Sequence, residues 1–244
     1  MLPSRTDSNV VLEPMTRVDE GLIETMRVRG GGGGGSRLPF LDRHLARLGA
    51  SLAALGRPAP SVDLAELART GAVPAEAGGA DHVVRLAVLD GSATIATRAL
   101  PHLNPPAVIV ATEPHVPYPH KTTARGAFER ALAEAHAGGA DDALLVTAGG
   151  GHIAEGTTWN VFWWEGDRLY TPALDLGILP GVGRARVMEL AEVAEVRVTA
   201  AEFVGRSLFL VNAVRGIVPI GSFRGRDVHL DARTAELSHG FWPD

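Results

Sequence analysis

Residues 139–172 read GADDALLVTAGGGHIAEGTTWNVFWWEGDRLYTP. Three short apolar runs, 143–147, 159–164 and 168–171, are rich in β-branched and aromatic residues and bounded by glycine or charge, the pattern of strands. Trp163 and Trp164 alternate along the second run, so one of them faces the core. Between the first two runs lies a polar patch that carries Glu155. Toward the C-terminus, Leu179-Pro180-Gly181-Val182-Gly183 opens a helix over 182–193, and strands are expected at 195–198, 208–211 and 217–221. Toward the N-terminus, a strand at 107–111 and a proline-rich loop at 114–119 precede Lys121. Thr122 or Thr123 can cap a helix that runs to about residue 137, where Gly138-Gly139 ends it.

Leu103-Asn104-Pro105-Pro106 interrupts the chain and marks the expected domain boundary, 1–104 against 105–244. Before it, residues 10–13 are strand-like and 21–28 (GLIETMRV) read as a strand. Gly30–Gly35 reads as a mobile hairpin tip, because a glycine run loses much freedom on ordering. Leu41, Leu45, Leu48, Leu52 and Leu55 recur at helical spacing and predict a helix over 40–55, with Asp42 as its cap. A short helix at 62–69 and strands at 83–89 and 93–100 follow, the strands joined by the hairpin signal Asp90-Gly91-Ser92. Strands outnumber helices and mix with them irregularly, which predicts two α+β lobes.

The chain has 244 residues, 45% of them apolar and 21% charged, enough for a sizeable core and too apolar for global disorder. A net charge of −5 argues against a general nucleic-acid binder. No apolar run reaches about 18 residues, so no membrane span is expected. The first 25 residues lack an apolar core, so no secretory signal is expected. The absence of cysteine removes disulfides, thiolate metal sites and cysteine catalysis, and fits a reducing cytoplasm. No metal site is expected.

Of 23 basic residues, Lys121 is the sole lysine. Arginine stays protonated, whereas a lysine amine can lose its proton and act as nucleophile or base. Lys121 follows a loop and precedes a helix, where its amine can reach a cleft. Glu155 supplies a carboxylate. The Gly181-Val182-Gly183 helix start offers free N–H groups to an anion. Arg47 lies on the first helix, and Asn212-Ala213 ends a strand. An amine, a carboxylate, a helix N-terminus and an arginine suit a phosphorylated aldehyde cofactor.

These segments, in order from about residue 21 to 223, resemble the class IV aminotransferases, the pyridoxal-phosphate enzymes of fold type IV. The resemblance rests on GLIETMRV, LDRHLARL, HKTTAR, the 139–172 stretch, GILPGVGRARVMEL and LFLVNAVRGIVPI. It implies a small N-terminal α/β lobe and a larger C-terminal lobe, with pyridoxal 5'-phosphate between them, in a homodimer. Lys121 would then bind the cofactor covalently, Arg47 and the N–H groups of Val182 and Gly183 would hold its phosphate, and Glu155 would pair with its ring nitrogen. Asn212, Ala213 and Val214 would line the phosphate and substrate side. The family often has a threonine where Gly183 stands, and many transaminases have a hydroxyl residue at the position of Ala213, so fewer phosphate contacts are expected. The N-terminus also lacks the family's usual opening strand with a tryptophan.

The short start ETMRV, Arg125 four residues after the lysine, and VNAVRGIVPI are most similar to the aminodeoxychorismate lyase branch. That likeness implies release of pyruvate and 4-aminobenzoate for folate synthesis, with functional coupling to aminodeoxychorismate synthase. An amino-acid transaminase of branched-chain or D-amino-acid type is the alternative. A substrate with two carboxylates calls for arginines, and Arg27, Arg125 and Arg215 are the candidates. Arg184 is read as structural, and His120 is assigned no catalytic role.

Overall fold

The computed structural model describes residues 20–30, 36–72 and 81–243. The strand-like residues 10–13 and Gly31–Gly35 of the glycine run lie outside the described residues. In chain order the first elements are β1 (Leu22–Gly30), β2 (Ser36–Arg37), α1 (Leu41–Ala54), α2 (Leu64–Ala72), β3 (His82–Leu89) and β4 (Ser92–Ala99). Then come β5 (Ala107–His115), α3 (Gly126–Ala137), β6 (Asp142–Thr147), β7 (Ile153–Gly156), β8 (Asn160–Glu165) and β9 (Arg168–Pro172). The last are α4 (Val182–Leu190), β10 (Val193–Val196), β11 (Ser207–Asn212), β12 (Gly216–Pro219), β13 (Ser222–Phe223), β14 (Arg226–Asp227) and α5 (Ala232–His239).

The chain is two-lobed and mixes helix with sheet. In the first lobe an antiparallel sheet of order β2-β1-β3-β4 carries α1 and α2 on one face. Alternation along the strands sends Leu22, Met26, Val28, Val84, Leu86 and Val88 to those helices. Asp90 and Gly91 both have positive φ, 48° and 73°, as a two-residue hairpin turn requires.

The second lobe holds two five-stranded sheets, of order β14-β13-β5-β6-β7 and β10-β9-β8-β11-β12. They share one core, which Val108, Leu144 and Ile153 enter from the first and Val161, Trp163, Leu208 and Leu210 from the second. The alternate residues serve the outer faces. Ala143 and Leu145 meet Phe128, Ala131 and Ala135 of α3. Phe162, Phe209 and Val211 meet Val187 of α4 and Phe241. Trp163 is fully buried, stacked on Tyr170 and edge-on to Phe203. Trp164 turns to the other face and donates its indole N–H to Thr234 Oγ1 at 3.0 Å.

Several boundaries differ from expectation. Asp42 lies inside the first turn of α1; the residue before the helix is Phe40, in a left-handed conformation with φ 63°. The cap of α2 is Asp63, whose Oδ1 accepts from the N–H groups of Ala65 and Glu66. Neither threonine caps α3, which begins at Gly126 after Arg125. Thr123 Oγ1 accepts instead from the N–H of Gly21, 102 residues away, at 3.0 Å. Helix α4 stops at Leu190, because β10 starts at Val193 to pair in parallel with β9. The polar patch around Glu155 contains a strand, β7.

Candidate active site

Lys121 sits where the two lobes are stitched together. Ile23 N–H donates to the Lys121 carbonyl at 2.9 Å, and Thr123 N–H donates to the Gly21 carbonyl at 2.9 Å. The first strand of the small lobe therefore fixes the backbone of the lysine. Among the described residues, no hydrogen bond or ion pair engages its amine. Burial lowers the Lys121 pKa to about 8, helped by the positive charges of Arg47 and Arg125 and opposed by Glu24 and Glu155.

Glu155 lies on β7, buried. Its Oε1 accepts from His115 Nε2 at 3.0 Å and from the N–H of Leu179 at 3.2 Å. His115 is itself buried and its Nδ1 has no partner among the described residues, so the ring hydrogen belongs on Nε2. Both contacts fall on one oxygen, which leaves Oε2 free to accept from a ligand.

The turn after Glu155 is anchored by Asp142. Its Oδ1 accepts from Thr157 N–H at 3.1 Å, Thr157 Oγ1 at 2.8 Å and Ala143 N–H at 2.8 Å. Its Oδ2 accepts from the Trp159 indole at 2.9 Å. Burial raises the Asp142 pKa, and these donors offset part of the rise. Sequence reasoning missed this residue. The available signal was a carboxylate at the mouth of an otherwise apolar strand.

The N-terminus of α4 has no side-chain cap. It is pressed into its neighbours. A Cβ on Gly181 would lie 2.0 Å from Asn160 Oδ1, and one on Gly183 would lie 2.8 Å from the Asn212 carbonyl carbon. Asn160 Nδ2 donates to the Leu179 carbonyl at 3.0 Å and holds the loop in place. Asn212 folds the facing turn, its Oδ1 accepting from the N–H groups of Val214 at 2.9 Å and Arg215 at 2.8 Å. Two backbone segments thus form a tight cradle below uncapped N–H groups, a site suited to a phosphate.

Arg47 reaches this cradle from α1, donating through Nη1 to the Pro180 carbonyl at 3.2 Å. Glu24 of β1 orients it, accepting from Nε at 2.9 Å and from Nη2 at 2.5 Å. His44 Nδ1 donates to the same carboxylate at 2.6 Å. Burial pushes the Glu24 carboxyl up, but the His44 and Arg47 hydrogen bonds and charge outweigh it and hold the pKa at about 2. Burial lowers the His44 pKa, against the pull of Glu24 and with the help of Arg47 and Lys121.

These groups meet on one cavity of about 360 Å³. Lys121, Arg47, Glu155, Val182, Gly183, Asn212, Ala213, Val214, Arg215 and Arg125 all line it. Arg125 is engaged there: Nη2 donates to the Thr157 carbonyl and the guanidinium lies 4.8 Å from the Phe128 ring centroid. Arg27 does not line the cavity, and Asp81 neutralises it through a bond from Nε at 2.9 Å. Arg184 is buried behind the cradle and pairs with Glu195 at 2.9 Å. His120 Nδ1 lies 3.1 Å from Ser51 Oγ and is no part of the lining.

Residues 21–223 match the family model described as amino-transferase class IV. The chain belongs to this family. A curated aminodeoxychorismate lyase from Vibrio harveyi is 28% identical over 118 residues, 46% of this chain and 44% of that relative. The match thus spans less than half of the relative's length. A solved Mesorhizobium loti protein proposed to be an amino-acid aminotransferase is 31% identical, with a TM-score of 0.74, over 84% of this chain and 100% of that one. The branched-chain aminotransferase of Thermobaculum terrenum, solved in its PLP form, covers 91% of this class IV chain and 83% of its own. Its TM-score is 0.77 at 23% identity, a likeness of fold.

Proposed function

We propose that this class IV protein is a pyridoxal-phosphate-dependent 4-amino-4-deoxychorismate lyase that forms 4-aminobenzoate and pyruvate. The observation that carries a pyridoxal-phosphate reading is the cavity itself: a lysine with a pKa of about 8, a buried carboxylate with one oxygen free, and an uncapped helix N-terminus in a glycine cradle. The residues fit the group at both ends. Arg47 and the N–H groups of Val182 and Gly183 would hold the phosphate, Glu155 Oε2 would accept from the ring nitrogen, and Lys121 Nζ would hold the aldehyde carbon. When bound, the cofactor supplies an electron sink for charge that develops on the carbon bearing the substrate amine.

The chain's own residues do the rest. The Lys121 amine, its pKa lowered to about 8, would act as the base for the proton on that carbon. Glu155, held by His115 and the Leu179 N–H, would keep a proton on the ring nitrogen. Asn212 orders the turn on which Val214 and Arg215 face the substrate. The Vibrio harveyi relative and the Asn212-Ala213 turn support the lyase. The Mesorhizobium loti relative favours a second reading, an amino-acid transaminase, which needs the same lysine and carboxylate. In the lyase reading the protein works as a homodimer, divided into lobes at 104/105, and takes its substrate from aminodeoxychorismate synthase.

The test adds purified holoprotein to a synthase reaction that generates aminodeoxychorismate, with 4-aminobenzoate followed by chromatography. Product that vanishes in Lys121→Ala supports the lyase. A yellow protein that makes no product but exchanges amino and keto acids is a transaminase.

A further inference from the structure

Arg27, expected from the sequence to meet a substrate, is engaged by other groups beside the cavity. Alternation along β1 puts Ile23, Thr25 and Arg27 on one face, and Ile23 and Thr25 line the cavity. Arg27 continues that row to the border between the lobes. Its Nε donates to Asp81 at 2.9 Å, and its Nη1 donates at 3.4 Å to the Val214 carbonyl, in the 212–215 turn of the second lobe. Its guanidinium carbon lies over the Trp242 indole, 4.9 Å from the ring centroid. The same indole is pressed against Gly216, the residue after that turn. A Cβ on Gly216 would lie 3.2 Å from Trp242 Cζ2, and its backbone takes a φ of 72°. Trp242 is itself held. Arg186 of α4 donates to the carbonyls of Gly240 at 2.7 Å and Phe241 at 2.9 Å. Phe40, in its left-handed turn before α1, brings its ring to 5.8 Å from the indole.

We propose that Trp242 is a positioning residue: touching Arg27 of the first lobe and Gly216 of the second, it seats the 212–215 turn where Val214 borders the substrate side of the cavity. Asn212 Oδ1 fixes that turn from within, through the N–H groups of Val214 and Arg215. Arg27 fixes it from outside, through the Val214 carbonyl, and the indole orients Arg27. An aromatic face attracts the cation laid over it, and Asp81 occupies the other edge of the planar fork, so the guanidinium has one seat. Strand β1 is thereby tied to the second lobe at two places, by Gly21 and Ile23 at the lysine segment and by Arg27 at the turn. Arg27 acts on the cavity through Val214 and not by touching a ligand. The effect on substrate rests on the proposed reading of the cavity; the seating of the turn does not.

The experiment compares the holoprotein with Trp242→Leu, Trp242→Phe and Arg27→Gln. It reads hydrogen exchange at single amides, and KM and kcat in the 4-aminobenzoate assay or, if that is the reaction found, in amino- and keto-acid exchange. In Trp242→Leu and Arg27→Gln, exchange at the Val214 and Arg215 amides is expected to rise about five-fold or more, with the Ile23 and Thr123 amides within about two-fold of wild type. KM is expected to rise about five-fold and kcat to stay within about two-fold, because the reacting groups keep their places. Trp242→Phe keeps an aromatic face for Arg27 and should return both readouts to within about two-fold of wild type. Trp242 is half-buried, and Arg27→Gln keeps the test readable if Trp242→Leu misfolds. Unchanged exchange at the turn, a rise shared equally by Ile23 and Thr123, or a phenylalanine no better than leucine would overturn the proposal. So would faster exchange with an unchanged KM. A wild type that catalyses neither reaction sinks the proposed reading of the cavity, while exchange at the turn still decides whether Trp242 seats it.

Discussion

Lys121 offers the most direct quantitative test. With a pKa of about 8, about 9% of its amines are neutral at pH 7, against about 0.03% at the ordinary value of 10.5. The difference is about 300-fold in the nucleophilic species, roughly 3 kcal/mol. The assay mixes cofactor-free protein with pyridoxal phosphate and follows the visible band by stopped flow, with borohydride trapping and Lys121→Ala as controls. If capture tracks the neutral amine, its rate rises about ten-fold from pH 7 to pH 9 and then levels, with a midpoint near pH 8. An ordinary lysine would give about a hundred-fold rise over that interval and no plateau. Arg125→Gln removes a positive charge that destabilises the ammonium, so its midpoint moves up. Burial is the larger cause and remains, so the midpoint stays below the ordinary lysine value. A hundred-fold rise in the wild type, or a midpoint that falls in Arg125→Gln, would refute the reasoning.

Glu24 carries a folded pKa of about 2 against an ordinary 4.5, so the unfolded chain binds more protons between these values and stability falls as pH drops through that window. The loss is about 3 kcal/mol, and Glu24→Gln is expected to flatten the acid limb of a urea-midpoint-against-pH curve. Gly183→Ala places a methyl 2.8 Å from the Asn212 carbonyl carbon, so the cradle must open. Equilibrium dialysis should show cofactor affinity down by about ten-fold or more, with a stability loss of about 1–3 kcal/mol. Asp142→Ala strands the Thr157 N–H and the Trp159 indole in the interior at about 1–3 kcal/mol each. Its denaturant midpoint should fall more than that of Trp159→Phe, which removes one donor.

Much of the architecture was legible where one local rule acts alone. The leucines of α1 recur at helical spacing, and Asp90-Gly91 takes the two positive φ angles that a short hairpin turn needs. The residues on the cavity lining were legible through their chemistry: a sole lysine, a carboxylate in a polar patch, glycines at a helix start. What was hidden depends on distant partners. Asp42 and the threonines after Lys121 have the right chemistry for caps, but Phe40 starts α1 in a left-handed turn, and Thr123 is claimed by Gly21 across the lobes. Asp142 looks like the polar edge of a strand until Thr157 and Trp159 fold back onto it. His44 and His115 are ordinary in sequence and become orienting groups only when Glu24 and Glu155 are brought beside them. The pairing of Arg27 with Asp81 joins residues 54 apart, so no short window could show that its charge is spoken for.

The bonds from Gly21 and Ile23 to the lysine segment are made largely through backbone atoms. Such bonds are indifferent to which side chains β1 carries. Ile23 and Thr25 line the cavity from that strand, and either can be exchanged without disturbing the hydrogen bonds that seat Lys121. A lineage could therefore revise what the cavity accepts, one substitution at a time, while the reactive amine stays in register.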